Sequence, residues 1–225
     1  MKIGILTHHY PENKNYGAIL QLFAHYNFLL KLNHDPYVIN FQFTNDYRKG
    51  IKGLIINPII FLFGNLPFIL FRKKYIKNIT PKVNDKNIGD LNAFIDTFIV
   101  GSDQVWRIAY VPNIKTFFLD FVKKDKKKIS YAASFGIDTW CEADNQTTTE
   151  VKELIKDFNA ISVREKSGIE ICNLLGVKSV QVLDPVFLFS KAEYVNFFNL
   201  KVTSSKNYFS YLLLDSNYEN EVFIK

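Results

Sequence analysis

An α/β fold built on an open parallel sheet is what the sequence predicts, on three observations. Short apolar runs of strand length recur at Lys2 to Thr7, Tyr37 to Phe41, Thr97 to Gly101, Lys128 to Ala133, Ala160 to Val163 and Ser179 to Leu183. Their near-continuous apolar character suits strands buried on both faces. Stretches of helical periodicity separate several of them, and the opening strand, loop, helix, strand order is a βαβ unit with a right-handed crossover.

Each element has its own warrant. From Gly17 to Leu32, the residues Ile19, Leu20, Leu22, Phe23, Tyr26, Leu29 and Leu30 recur at three- and four-residue spacing, which gives one helix a wide apolar face. Thr116 to Phe121 reads as a further strand, Glu150 to Phe158 as a helix, and Glu165 to Leu175 as a helix stopped by Gly176. Asp184-Pro185 closes the last strand of the first domain. Asn207 to Asp215 reads as a new first strand and residues 216–225 as its helix. A lone strand and helix cannot bury their own apolar faces. The expected organisation is therefore a domain over residues 1–204 and the opening unit of a truncated second domain over 205–225.

The stretch from Arg48 to Lys77 interrupts this rhythm. Residues 54–71 are 18 residues without a charge, but Asn57, Pro58, Gly64, Asn65 and Pro67 divide them. Two short helices are expected, because proline removes a backbone donor and glycine weakens a helix. A buried hairpin, an interfacial element and a membrane span are the placements left open. Arg48, Lys49, Lys52, Arg72, Lys73, Lys74 and Lys77 flank the stretch and suit anionic headgroups, so peripheral membrane contact through 51–77 is an expectation.

Composition excludes several classes. With 48% hydrophobic and 22% charged residues the chain has material for a core and no disordered signature. Its 225 residues correspond to about one and a half domains. The net charge of +6 is concentrated at Arg72 to Lys77 and Lys123 to Lys128 and does not line one helix, which argues against nucleic acid as a partner. Lys123 to Lys128 reads as a solvated hairpin without chemistry. Cys141 and Cys172 show no metal or redox spacing and fit reduced thiols in a cytoplasmic setting. The apolar start, Met1 to Leu6, is too short before His8 and His9 for a signal peptide.

The most informative segment is Thr97-Phe-Ile-Val-Gly-Ser-Asp-Gln-Val-Trp106, a buried strand running into a Gly-Ser-Asp turn. Ligands of open α/β sheets sit beyond the carboxyl ends of strands, where glycine allows close backbone approach. Asn15-Tyr16-Gly17-Ala18-Ile19-Leu20-Gln21, Ser130 to Gly136, Ile161 to Gly168 and Val182-Leu183-Asp184-Pro185 accompany it in the same chain. Together these five motifs resemble the polysaccharide pyruvyl transferase family.

The resemblance implies a Rossmann-like parallel-sheet domain, like the amino-terminal half of a GT-B-like two-domain transferase. It also implies transfer of the enolpyruvyl group of phosphoenolpyruvate to two hydroxyls of a sugar, forming a ketal of a surface polysaccharide or its lipid-linked precursor in cell-envelope exopolysaccharide biosynthesis. Phosphoenolpyruvate is then the donor substrate, and neither a cofactor nor a metal is expected. The enzyme would work in the cytoplasm or on the cytoplasmic face of the membrane. Family members place their donor-binding arginine and histidine residues in the second domain, so this chain alone is expected to be weak or inactive. A GT-B-type glycosyltransferase and a non-catalytic glycan-binding module left by truncation are the alternatives.

Candidate residues follow from position. Asp103 would bind acceptor hydroxyls or take a proton, or would cap the turn through Arg107. His9 is the second catalytic candidate and His8 a substrate contact, since an imidazole near neutrality serves as acid or base. One of the two could instead cap the sheet edge. Asn15, Tyr16 and Gly17 open a helix whose free amides suit an anion or hydroxyl, with capping by Asn15 as the rival. Gly101 and Ser102 would line the turn, and Trp106 would lie against a sugar ring. Arg164 would grip phosphate or carboxylate, or form an ion pair with Asp184 or Glu165. His25 and His34 read as structural.

Overall fold

A computed structural model describes residues 1–8, 15–43 and 58–201, with the side chains of 58–65 outside that description. His9, the boundary expected near Ser204, and the strand and helix expected after it all lie outside the described residues.

Six strands form one parallel sheet in the order β2-β1-β3-β4-β5-β6. They are β1 (Lys2–Leu6), β2 (Asp35–Val38), β3 (Thr97–Val100), β4 (Lys127–Ala133), β5 (Ala160–Val163) and β6 (Val180–Gln181). The first crossover runs outward to β2, and the chain then returns to lay β3 on the other side of β1. This places the topological switch between β1 and β3, the crevice where ligands of such sheets bind.

Helix α1 (Tyr16–Lys31) covers one face. Alternation along β1 decides which residues meet it: Ile3 and Ile5 pack with Leu22, Tyr26 and Leu29, while Leu6 joins the opposite core. That larger core holds Phe98, Val100, Val163 and residues of α3 (Ile114–Phe117), α4 (Asn145–Lys156) and α5 (Lys166–Leu174). The result is the α/β, Rossmann-like architecture expected.

Three local expectations are corrected. Thr116 to Phe121 is not a strand: Asn113 caps α3 by accepting the Lys115 N–H, and the Phe118 and Leu119 N–H groups donate back to the Ile114 and Thr116 carbonyls at 3.2 and 3.1 Å, as in a helical turn. The lysine run is accordingly no hairpin. Lys127 and Lys128 begin β4, and Lys128 is buried with its Nζ 3.5 Å from Asp157 Oδ2. Third, α2 (Pro58–Tyr75) is one helix that runs through Pro67. Its Phe68 packs against Tyr16 with ring centroids 4.9 Å apart, and Phe71 and Tyr75 lie 5.6 and 5.3 Å from Phe23. Such packing outweighs the local cost of a proline whose own side is exposed. After α2, residues 78–83 bridge the end of β2 through Val38 with Ile79 and Phe41 with Val83.

Gly176 ends the α5 region at φ +89°, as expected of a left-handed stop. The chain divides into two compact units, Met1–Phe189 and Ser190–Lys225. In the second, α6 (Lys191–Phe198) opens on a capping box of Ser190 and Glu193.

Candidate functional site

The switch point is built from β1 and β3. Beyond β1, the Thr7 hydroxyl donates to the Ser102 carbonyl at 2.6 Å. From α1, Gln21 Nε2 donates to Thr7 Oγ1 at 3.1 Å, and Gln21 Oε1 accepts the Ser102 N–H at 3.2 Å. All three residues are buried, so their polar groups satisfy one another in a bracket that ties helix to turn. Gln21 occupies the buried stripe of α1 beside Ala18, Leu22 and His25; a glutamine at such a position was the sequence signal for this bracket, and it was missed.

The turn itself needs glycine at position 101. Gly101 has φ +108°, and a Cβ there would collide with the Tyr131 carbonyl. The Gly101–Ser102 peptide is cis. The Ser102 hydroxyl lies 2.9 Å from the Ala132 carbonyl and 3.1 Å from Asp184 Oδ2, and its single proton serves one of them at a time.

Asp103 follows at φ +83°, a conformation that costs energy in a non-glycine residue. The backbone on both sides holds it there: its carbonyl accepts the N–H groups of Val105 at 2.8 Å and Ser134 at 3.0 Å. Its Oδ1 accepts the Gln104 N–H at 2.8 Å, so one carboxylate oxygen does the capping foreseen as the alternative. Among the described residues the other oxygen has no hydrogen-bond partner.

His8 is buried beside it, with Nε2–H donating to the Gln104 carbonyl at 3.3 Å and its ring 5.1 Å from Phe117. Burial lowers the imidazole below its ordinary pKa, while Asp103 and the Gln104 carbonyl pull the other way. His8 and Asp103 therefore share one corner and one electrostatic field.

Arg164 stands at the other end of the edge, beyond β5. Its Nε donates to Glu165 Oε1 at 2.7 Å and its Nη1 to Asp184 Oδ2 at 3.3 Å. Glu165 also accepts the Ser134 hydroxyl at 2.9 Å, and Asp184 accepts the Val186 N–H at 3.1 Å. Burial alone would lower the guanidinium's pKa, but Glu165, Asp184 and Asp103 together raise it. Both ion-pair alternatives weighed for Arg164 are thus present at once. Sequence reasoning named Glu165 and Asp184 only as rival partners of Arg164, and missed Thr7 and Ser134.

The remaining candidates divide. Asn15 caps α1, its Oδ1 accepting the Ala18 N–H at 3.2 Å, while Tyr16 is 71% exposed and Gly17 is exposed. These three mark the amino end of α1 on the side of the switch point. Trp106 is corrected. It is wholly buried, stacked on Phe118 at 4.9 Å and 5°, with Nε1–H donating to the Phe117 carbonyl at 3.0 Å. An indole so enclosed is a core anchor for the turn and presents no face to a sugar. His25, read as structural, lies buried in α1 against Tyr131 at 5.1 Å, and burial pushes its pKa down to about 4. Cys172 is likewise pushed up to about 11 by burial, as an unreactive core thiol should be. No group of metal-ligating side chains occurs among the described residues.

Two carboxylates contact the one guanidinium, and Asp103 adds a third negative group within its field. Their negative excess repels an anion and accepts hydrogen bonds from hydroxyls. Chemically, the edge is suited to orient a polyol and to remove a proton from it.

No curated protein and no solved structure matches the chain. A family model described as polysaccharide pyruvyl transferase matches residues 15–225, a span that holds Gly101 to Asp103, Arg164 and Asp184. The chain belongs to the polysaccharide pyruvyl transferase family.

Proposed function

We propose that the protein transfers a pyruvyl group from phosphoenolpyruvate to a sugar diol of a surface polysaccharide or its lipid-linked precursor. The observation that carries this reading is family membership over nearly the whole chain, joined to an edge of strand ends that carries Asp103 at the β1/β3 switch and Glu165 and Asp184 beyond β5 and β6. In the reaction the vinyl carbon gains a proton, one sugar hydroxyl adds to the adjacent carbon, phosphate leaves, and the second hydroxyl closes the ketal. Of the two hydroxyl protons lost, one is balanced by the proton gained at the vinyl carbon and the other leaves with the phosphate. Asp103 takes the proton of the attacking hydroxyl through its uncommitted oxygen, and the neutral imidazole of His8 holds the diol. His9 is the acid for the vinyl carbon. Gly101, Ser102 and the α1 start at Asn15, Tyr16 and Gly17 frame the acceptor. Arg164, with its charge already shared between Glu165 and Asp184, positions those carboxylates and is not the donor's principal cation. The work is set on the cytoplasmic face of the membrane, and among the described residues no helix is long and apolar enough to cross it.

The test incubates the full-length protein with phosphoenolpyruvate and a panel of aryl hexopyranosides, each with a free diol. Expected is one phosphate released per sugar, with the sugar gaining the mass of one pyruvylidene group. Release of a nucleotide from a sugar nucleotide under the same conditions would favour glycosyl transfer instead. Saccharide binding without turnover of either donor would favour a binding module.

A further inference from the structure

A cavity of about 690 Å³ lies along the carboxyl half of α2, lined by Ile69, Arg72, Lys73, Ile76, Lys77 and Ile79. Three isoleucines make its walls apolar, and three basic residues set cations around them. The helix explains why. Phe68, Phe71 and Tyr75 turn inward onto Tyr16 and Phe23, so at 100° per residue Ile69, Leu70, Lys73 and Lys74 fall on the outward side. Ile69 is 41% and Leu70 54% exposed, and Lys73, Lys74 and Lys77 are exposed beside them. The sequence from 47 to 84 contains no Asp or Glu to offset these charges.

A soluble anion would be served by the lysines alone and gives no reason to leave isoleucine and leucine in water. A surface that is both apolar and anionic is served by all of them. We propose that α2 seats the protein on a bilayer surface rich in anionic phospholipid. Ile69 and Leu70 enter the boundary between headgroups and acyl chains, and Lys73, Lys74 and Lys77 meet lipid phosphates. The helix lies on the membrane, consistent with the absence of a spanning helix among the described residues. This inference stands apart from the reaction proposed above, and its test reads no activity.

The experiment is co-sedimentation of the full-length protein with vesicles of phosphatidylcholine alone and of phosphatidylcholine mixed equally with phosphatidylglycerol. Binding to the anionic vesicles should exceed binding to the neutral ones by at least about tenfold and should weaken in high salt. Lys73→Glu with Lys77→Glu should remove about tenfold or more of that binding, and Leu70→Ser a few-fold, with circular dichroism and melting unchanged because the sites are exposed. Equal partition onto both vesicles, no binding to either, or a double variant that binds like the parent would overturn the proposal. So would competition of vesicle binding by low concentrations of inorganic phosphate, which would assign the groove to a soluble anion.

Discussion

At the β5 and β6 end of the ligand edge, Arg164 divides its charge between Glu165 and Asp184, and each of those carboxylates is bonded again, to Ser134 and to the Val186 amide. At the β1 and β3 end, Asp103 spends one oxygen on the Gln104 amide and keeps the other, next to an imidazole that burial holds neutral. The residue types are alike and the outcomes differ. Carboxylates paired with a guanidinium are held ionised and in place, whereas among the described residues Asp103 has no cation in contact, and a carboxylate of that kind beside a neutral base is able to exchange a proton with a ligand. Under the proposed function, the Arg164 corner positions and the Asp103 corner does the chemistry.

Both corners hang on the segment from Gly101 to Trp106, so the largest effect should come from its anchor. Trp106→Ala removes a wholly buried indole stacked on Phe118 and should cost about 4 kcal/mol of stability, measured by urea unfolding. A loss below about 1 kcal/mol, with weakened saccharide binding, would return Trp106 to the ligand surface.

His25 lies beneath the two corners, within the field of Asp184 and near the Gly101 carbonyl. Its folded pKa of about 4 is below the unfolded value of 6.5, so the unfolded chain binds the proton more readily. Stability contributed by the neutral ring is complete above pH 6.5 and is lost as pH falls toward 4, by roughly 3 kcal/mol in all. His25→Gln should flatten that part of the stability curve, whatever its effect at neutral pH. An unchanged slope would mean that the ring titrates normally.

Arg164→Met leaves two carboxylates without their shared cation and should destabilise the fold by about 2 kcal/mol, since both partners retain some access to water. Affinity for the sugar acceptor should change little. If the melting temperature held and acceptor or donor binding collapsed, Arg164 would be a ligand group and the contrast between the corners would fail.

Much of this was legible in the sequence. The strand at Thr97 to Gly101 and the helix after Asn15 were readable because their apolar residues repeat at one period and end at residues with a single conformational meaning. Thr116 to Phe121 was not, because a run of six residues satisfies strand and helical turn alike, and the Asn113 cap that decides it is a weak local signal. Pro67 misled for the opposite reason: the local rule was right, and the aromatic contacts with Tyr16 and Phe23 that override it are distant in sequence. The placement of Gly101, Ser102, Asp103 and Arg164 at one edge was legible because an open sheet places strand ends together. The burial of Trp106 was invisible, since an indole after a turn reads the same whether it faces a sugar or Phe118.

The central claim is that Asp103 does chemistry while the network around Arg164 holds it in place. The most direct test is the rate of phosphoenolpyruvate-dependent phosphate release by Asp103→Asn in the full-length protein, below its melting temperature and with a confirmed acceptor. The substitution preserves shape and the Gln104 contact, so the account predicts a rate lower by about a hundredfold or more with stability nearly unchanged. A rate within a few-fold of the parent would contradict it and leave Asp103 as a turn cap.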